Sequence, residues 1–128
     1  MPRSSSNGRH ALRDAELAAG EADPAFPLKP QRIVVDIRNA MGDDDIVLVD
    51  TGALKMWMAR LYPTSRPLTC LISNGLSTMT FALPGALGAR LACPDRNVLA
   101  VTGDAGILMN SQEIETAVRE QITLVVLV

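Results

Sequence analysis

Short apolar runs alternate with amphipathic stretches along most of this chain. Continuous apolar runs of strand length are typical of strands that are buried on both faces of a sheet. Four such runs are present, at Ile46–Val49, Thr69–Ile72, Asn97–Val101 and Ile122–Val128. The intervening stretches place their apolar residues at helical spacing. This alternation predicts an α/β fold, in which a parallel sheet carries helices on both faces.

Four stretches of the chain have apolar residues at helical spacing and are predicted to be helices. They are Pro30–Met41, Ala53–Arg60, Leu76–Ala92 and Ser111–Glu120. Proline within the third stretch, at position 84, should kink or split that helix. In the last stretch, Ile114, Ala117 and Val118 are expected to form the apolar face.

The chain divides into two parts by composition. Residues 1–28 are polar and rich in Ser, Gly and Pro, with a weak helical pattern across Ala11–Ala19. They are predicted to form a flexible tail or an interdomain linker. Residues 29–128 are predicted to form one domain, because 128 residues with 48% hydrophobic content suffice for a single core.

Charge and cysteine usage exclude several classes of partner. The net charge of -2 gives no basic field for nucleic acid or an anionic membrane surface. No apolar run approaches the roughly 20 residues needed to cross a bilayer. Cys70 and Cys93 stand far apart and suggest neither a disulfide framework nor a zinc site. We therefore expect a soluble, cytoplasmic protein without nucleic-acid or membrane partners.

Three of the predicted strands end in loops that pair a glycine with polar residues. The loops are Asp50-Thr51-Gly52, Ser73-Asn74-Gly75 and Gly103-Asp104. Ligands of parallel sheets bind outside the carboxyl ends of the strands, so these loops mark the expected site. Glycine followed by aspartate is ordinary turn chemistry by itself. Between a buried strand and a helix, however, the glycine admits a phosphate and the carboxylate offers oxygen to Mg²⁺.

The residues around this turn resemble a known family. VTGDAG at 101–106, followed by LMNSQEIETA at 108–117, is similar to the thiamine-diphosphate motif of acetolactate (acetohydroxyacid) synthases. Earlier stretches agree in order and spacing: DTG at 50–52, KMWMAR at 55–60, SNGLSTM at 73–79 and FALPGA at 81–86. The resemblance covers residues 30–128 and implies the C-terminal thiamine-diphosphate-binding domain of such an enzyme.

The resemblance implies a set of cofactor-binding residues. Asp104 would be a Mg²⁺ ligand, with its two neighbours beside the diphosphate, and Met79 would prop the cofactor into a bent conformation. Ala53 and Leu54 stand where polar residues often contact the diphosphate in this family. The part of the diphosphate site next to Gly52, here called one half of the cradle, therefore departs from the family's pattern. The implied residues are Gly52, Ala53, Leu54, Ser77, Met79, Gly103, Asp104 and Ala105.

The resemblance also implies what this sequence lacks. The family's catalytic glutamate lies on a separate pyrimidine-binding domain, so no catalytic residue is expected in this chain. The second half of the metal motif, an Asn and a carbonyl ligand, would fall beyond Val128. We therefore expect a fold that is incomplete at the C-terminus and inactive alone. Its partner would be a pyrimidine-binding domain of the same or another chain, within a homodimer or larger assembly.

Three functional hypotheses follow. The first is a thiamine-diphosphate- and Mg²⁺-binding domain of an acetolactate synthase-like transferase or lyase, acting on 2-keto acids of the pyruvate class in branched-chain amino acid biosynthesis. The second is the small subunit of a split 2-keto acid decarboxylase. The third is a non-catalytic remnant or interaction module.

A few further residues have open or modest roles. Met56 and Trp57 could face the substrate pocket or simply pack against the sheet. Lys55 and Arg60 are expected to be solvated charges. His10 falls in the predicted tail and is no catalytic candidate.

Overall fold

The computed structural model describes residues 4–128, which form six helices and four strands. The helices are α1 (Ser4–Glu21), α2 (Pro30–Ala40), α3 (Ala53–Leu61), α4 (Ala82–Ala92), α5 (Asp104–Met109) and α6 (Glu113–Arg119). The strands are β1 (Ile46–Val49), β2 (Cys70–Ile72), β3 (Val98–Val101) and β4 (Val125–Leu127).

The four strands form one parallel sheet in the order β2-β1-β3-β4. At its centre Leu48 pairs with Leu71 on one side and with Ala100 on the other. Every residue of β1 and β3 is buried, as their continuous apolar sequences predict. The α/β fold with a parallel sheet is therefore confirmed.

Side chains alternate between two cores, one on each face of the sheet. Val47 and Val49 of β1 point towards α2 and α3. Ile46 and Leu48 point the other way and pack against α4. Because successive residues of a strand face opposite sides, one apolar run supplies both cores. Helices cover both faces, as predicted.

The predicted long helix over Leu76–Ala92 is wrong in its first part. Residues 76–81 form turns, and α4 begins only at Ala82. Pro84 therefore lies in the first turn of α4, where a backbone N–H has no intrahelical acceptor to lose. The predicted helix is thus shortened to the part that begins two residues before Pro84.

The predicted apolar face of the last helix is also wrong. Ile114 and Val118 are 49% and 73% exposed, and none of the residues of α6 is buried. This helix is only seven residues long and lies against α4. A helix of two turns beside another helix cannot bury a full apolar stripe in the sheet core.

Residues 4–21 form a helix that packs on the domain, where the sequence gives only a weak helical pattern. Leu17 of α1 packs against the core between α2 and α3. Glu16 accepts a hydrogen bond from Gln31 at 3.1 Å and pairs with Arg60. Gly20 is buried so close to Gln31 that a Cβ would lie 2.7 Å from that side chain. The division into a tail or linker of residues 1–28 and a domain of residues 29–128 stays a prediction.

Asp45 joins two loops at the amino end of the sheet. Its carboxylate accepts hydrogen bonds from the backbone N–H of Gly42 at 2.7 Å and of Asn97 at 3.1 Å. Burial raises the pKa of Asp45, but the donors on Gly42 and Asn97 outweigh burial and leave its pKa below the ordinary value. A lowered folded-state pKa stabilises the fold above about pH 4, and this stabilisation is lost as pH falls through the lowered pKa.

We expect Asp45→Ala to lower the free energy of unfolding by about 1 kcal/mol at pH 7, because charged hydrogen bonds at a partly exposed site are lost. The difference from the native chain should shrink as the pH falls towards 2. Urea unfolding at several pH values measures this difference in the free energy of unfolding. Asp44→Ala is the control, since its exposed pair with Arg66 is worth little. A difference that stays constant from pH 7 to pH 2 would contradict the expectation.

Candidate cofactor-binding site

The three glycine-containing loops lie at one edge of the sheet, as predicted. They follow β1, β2 and β3, which are parallel neighbours and so end on the same side. The backbone N–H of Asp50 donates to the carbonyl of Val101 at 2.9 Å, which holds the first and third loops together.

Two helices begin at this edge with glycine as the N-cap. α3 follows Gly52, whose φ of +152° favours glycine, and α5 follows Gly103. The two N-cap glycines supply no side-chain hydrogen bond to these helix starts. The Leu54 side chain spans the two starts, since a Cβ on Gly103 would lie 3.6 Å from its Cδ2. The amino-terminal turns of α3 and α5, whose N–H groups have no intrahelical acceptors, are therefore brought together at the sheet edge.

Asp104 stands at the start of α5 with its side chain exposed. One carboxylate oxygen accepts the backbone N–H of Ala105 at 2.8 Å. Within residues 4–128 no group of three or more His, Cys, Asp or Glu side chains could hold a metal ion.

Met79 lies in the turn segment between β2 and α4 and is half-buried. Two residues beside it have left-handed backbone: Ser77 with φ +49° and Thr80 with φ +76°. This conformation is a real outlier for a β-branched residue such as Thr80. Backbone strain of this kind persists only where surrounding contacts impose it, and it concentrates at functional sites.

Lys55 is not the solvated charge that was predicted. Its Nζ donates to the carbonyl of Ser73 at 2.6 Å and to Ser77 Oγ at 2.7 Å. Ser77 Oγ in turn donates to the Ser73 carbonyl at 3.1 Å. The ammonium therefore ties α3 to the segment that carries Met79. The sequence pattern gave no signal for this contact, because it joins residues 18 and 22 positions apart.

Met56 and Trp57, which could either face a pocket or pack against the sheet, lie in different surroundings. Met56 is 72% exposed, whereas Trp57 packs against the core between α2 and α3. Trp57 also lines an apolar cavity of about 230 Å³ between these helices. Arg60 lies over its ring at 5.4 Å and pairs with Glu16, so it is not merely solvated.

Asp50 is a buried carboxylate that the sequence reasoning named only as part of a loop. It is 1% exposed. Its Oδ1 accepts the backbone N–H groups of Thr51 at 2.8 Å and Phe81 at 3.2 Å, and its Oδ2 accepts the hydroxyl of Thr102 at 2.8 Å. A charged residue placed directly after a fully buried strand is the signal that could have marked it.

A parallel sheet with glycine at the helix starts along its carboxyl edge is typical of α/β domains that bind phosphate groups. Residues 50–128 match the family model described as "Thiamine pyrophosphate enzyme, C-terminal TPP binding domain". The chain belongs to this family. The matched region begins at Asp50 and contains all the site residues that the resemblance implied.

Similar proteins are acetolactate synthases. The probable large subunit from Methanocaldococcus jannaschii is 42% identical over 106 residues, which cover 78% of this chain and 18% of that protein. The acetolactate synthase of Bacillus subtilis is 44% identical over 99 residues, covering 77% and 17%. The isozyme 1 large subunit of Escherichia coli is 43% identical over 96 residues, covering 75% and 17%. The chain therefore spans less than a fifth of the length of these relatives. Within residues 4–128, no helix has both the length and the hydrophobicity to cross a lipid bilayer.

Proposed function

We propose that this chain holds the diphosphate of thiamine diphosphate, together with Mg²⁺, at the carboxyl edge of its sheet. The observation that carries the proposal is the pair of glycine-led helix starts that Leu54 brings together beside Asp104. The amino-terminal ends of helices suit a bound anion, because their backbone N–H groups and the helix dipole both favour negative charge. A carboxylate beside them suits the metal that accompanies a diphosphate.

The two sides of the cradle would act differently. At the start of α3, Gly52, Ala53 and Leu54 offer backbone N–H groups only, because the last two side chains are apolar. The positive end of the α3 dipole adds to this attraction. At the start of α5, Gly103 and Ala105 would flank the diphosphate while Asp104 contacts Mg²⁺. The metal would keep water in its remaining positions, since one carboxylate holds it.

Met79 would support the rings of the cofactor, with Ser77 fixing the turn in front of it. A methionine suits this role because its flexible apolar side chain fits between two rings. When bound, thiamine diphosphate supplies the stabilisation of negative charge on the reacting carbon of a 2-keto acid. The chain's own contribution is to orient the cofactor and to hold its diphosphate.

The intact enzyme that we infer is acetolactate synthase-like and acts on 2-keto acids of the pyruvate class. Its place would be the cytoplasm, in branched-chain amino acid biosynthesis. A pyrimidine-binding domain of the same or another chain would complete the site, in a homodimer or larger assembly. Without that domain we expect this chain to bind cofactor but to turn over no pyruvate.

Calorimetric titration with thiamine diphosphate tests the proposal. In Mg²⁺ we expect Asp104→Asn to weaken binding by about tenfold, or 1.4 kcal/mol, because the metal loses its carboxylate ligand. In EDTA the variant and the native chain should bind equally. Asp95→Asn, an exposed aspartate in the loop before β3, is the control and should change neither value. Failure of the native chain to bind, or equal binding by Asp104→Asn in Mg²⁺, would contradict the proposal.

A further inference from the structure

The buried side chain of Asp50 forms hydrogen bonds next to three turns of the proposed site, those at Gly52, Met79 and Gly103. Asp50 directly follows β1 and precedes Gly52, and Oδ1 of its carboxylate accepts the N–H of Thr51. The same oxygen accepts the N–H of Phe81, which follows the Met79 turn. Its other oxygen accepts the hydroxyl of Thr102, which precedes the Gly103 turn. The two halves of the proposed cofactor site are therefore linked through one carboxylate.

The partners of the Asp50 carboxylate in the described residues are hydrogen-bond donors. Among residues 4–128 it forms no ion pair with a basic side chain. A buried carboxylate without a cation is stable only while its hydrogen-bond donors stay in place. A displacement at Thr102 would therefore weaken the hold on Phe81, although these residues belong to different loops.

Two nearby features show that the arrangement is tightly constrained. Thr80, with φ +76°, directly precedes the N–H that Asp50 holds. A Cβ on Gly106 would lie 2.4 Å from Thr102 Oγ1 and 2.8 Å from Asp50 Oδ2, so only glycine leaves room for their bond. Hydrogen bonds to Asp50 can thus hold the strained turn in place.

We propose that Asp50, acting through Thr102 and Phe81, is a positioning residue that couples the diphosphate turn at Gly103 to the turn that carries Met79. It touches neither cofactor nor substrate in this role. Its function is to keep both halves of the site in register before the cofactor binds. The importance of that register rests on the proposed function, whereas the coupling itself is a property of the cofactor-free chain.

The test uses Thr102→Val, which keeps the side-chain shape and removes the hydroxyl, beside Thr102→Ser, which retains it. Amide hydrogen exchange of the cofactor-free chain is followed by NMR. We expect Thr102→Val to speed exchange at Phe81 by about tenfold relative to the core amide of Leu48. In Thr102→Ser, which keeps the hydroxyl, the amide of Phe81 should exchange at the native rate. Thr69→Val is the matched control, because Thr69 is equally buried but donates to Arg66 at the opposite edge.

The outcomes separate this inference from the proposed function. Unchanged exchange at Phe81 in Thr102→Val, relative to Leu48, would overturn the coupling whether or not cofactor binds. If Thr102→Val does not fold, the same measurement on Thr102→Ala, which also lacks the hydroxyl, decides in the same way. The affinity for thiamine diphosphate with Mg²⁺ should fall about tenfold in Thr102→Val and recover in Thr102→Ser. If the native chain does not bind the cofactor, the proposed function is overturned. The exchange measurement then still decides whether Asp50 couples the two turns.

Discussion

Replacing Gly106 with alanine is expected to lower the free energy of unfolding by about 2–3 kcal/mol. The added Cβ would lie 2.4 Å from Thr102 Oγ1 and 2.8 Å from Asp50 Oδ2, closer than real Cβ contacts allow. Both neighbours are buried and bonded to each other, so neither can move without breaking that bond. The better helix propensity of alanine offsets only about 1 kcal/mol. Urea unfolding measures the difference.

Gly88→Ala is the matched control for this substitution. Gly88 is an exposed glycine of α4, and a Cβ there would meet no atom within 4 Å. This variant should gain up to about 1 kcal/mol from helix propensity alone. Native-like stability in Gly106→Ala would show that the contact between Asp50 and Thr102 tolerates displacement. That result would contradict the tight packing on which the register of the site depends.

The sheet could be predicted because its signal is local. Ile46–Val49 is a continuous apolar run, and the strand has these same bounds. Burial on both faces requires such a run, so sequence and structure agree there. The loops that follow β1, β2 and β3 were predicted to meet at one edge. Parallel pairing alone brings them together, whatever the details of their side chains.

Contacts between distant residues could not be predicted from the pattern. Lys55 has the look of a surface charge on a helix, and only the fold brings Ser73 and Ser77 to its ammonium. The bond between Thr102 and Asp50 joins residues 52 positions apart. The start of α4 was misplaced for a related reason. Residues 76–81 have small and apolar side chains that suit a helix, but the structure holds them in turns with two left-handed residues.

Identification of the family defines the kind of site but not the contacts that maintain it. The resemblance implied roles for Met79 and Asp104 but none for Asp50, although Asp50 belongs to the DTG motif at 50–52. The side chains that hold two motifs in register are found through burial and hydrogen bonding. Motifs also do not reveal the core packing beneath α4, which depends on the contact between Leu48 of β1 and Gly85 of α4.

Leu48→Ala is expected to cost about 2–5 kcal/mol, because Leu48 is 1% exposed and its removal leaves a cavity under α4. Gly85 lies directly above it, and a Cβ on Gly85 would be 2.7 Å from Leu48 Cδ2. Gly85→Ala alone should therefore cost about 1–3 kcal/mol through overpacking.

In the Leu48→Ala background the sign of the Gly85→Ala effect should reverse. The methyl group then enters the vacated space, and alanine gains about 1 kcal/mol of helix propensity over glycine. A double-mutant cycle by urea unfolding should show a favourable coupling of about 2 kcal/mol. Gly88→Ala, combined with Leu48→Ala in the same way, should be additive because its Cβ meets nothing. A coupling near zero between positions 48 and 85 would contradict this expectation. It would mean that the core relaxes around the added methyl group. In that case α4 and β1 would not be held in fixed contact beneath the Met79 turn.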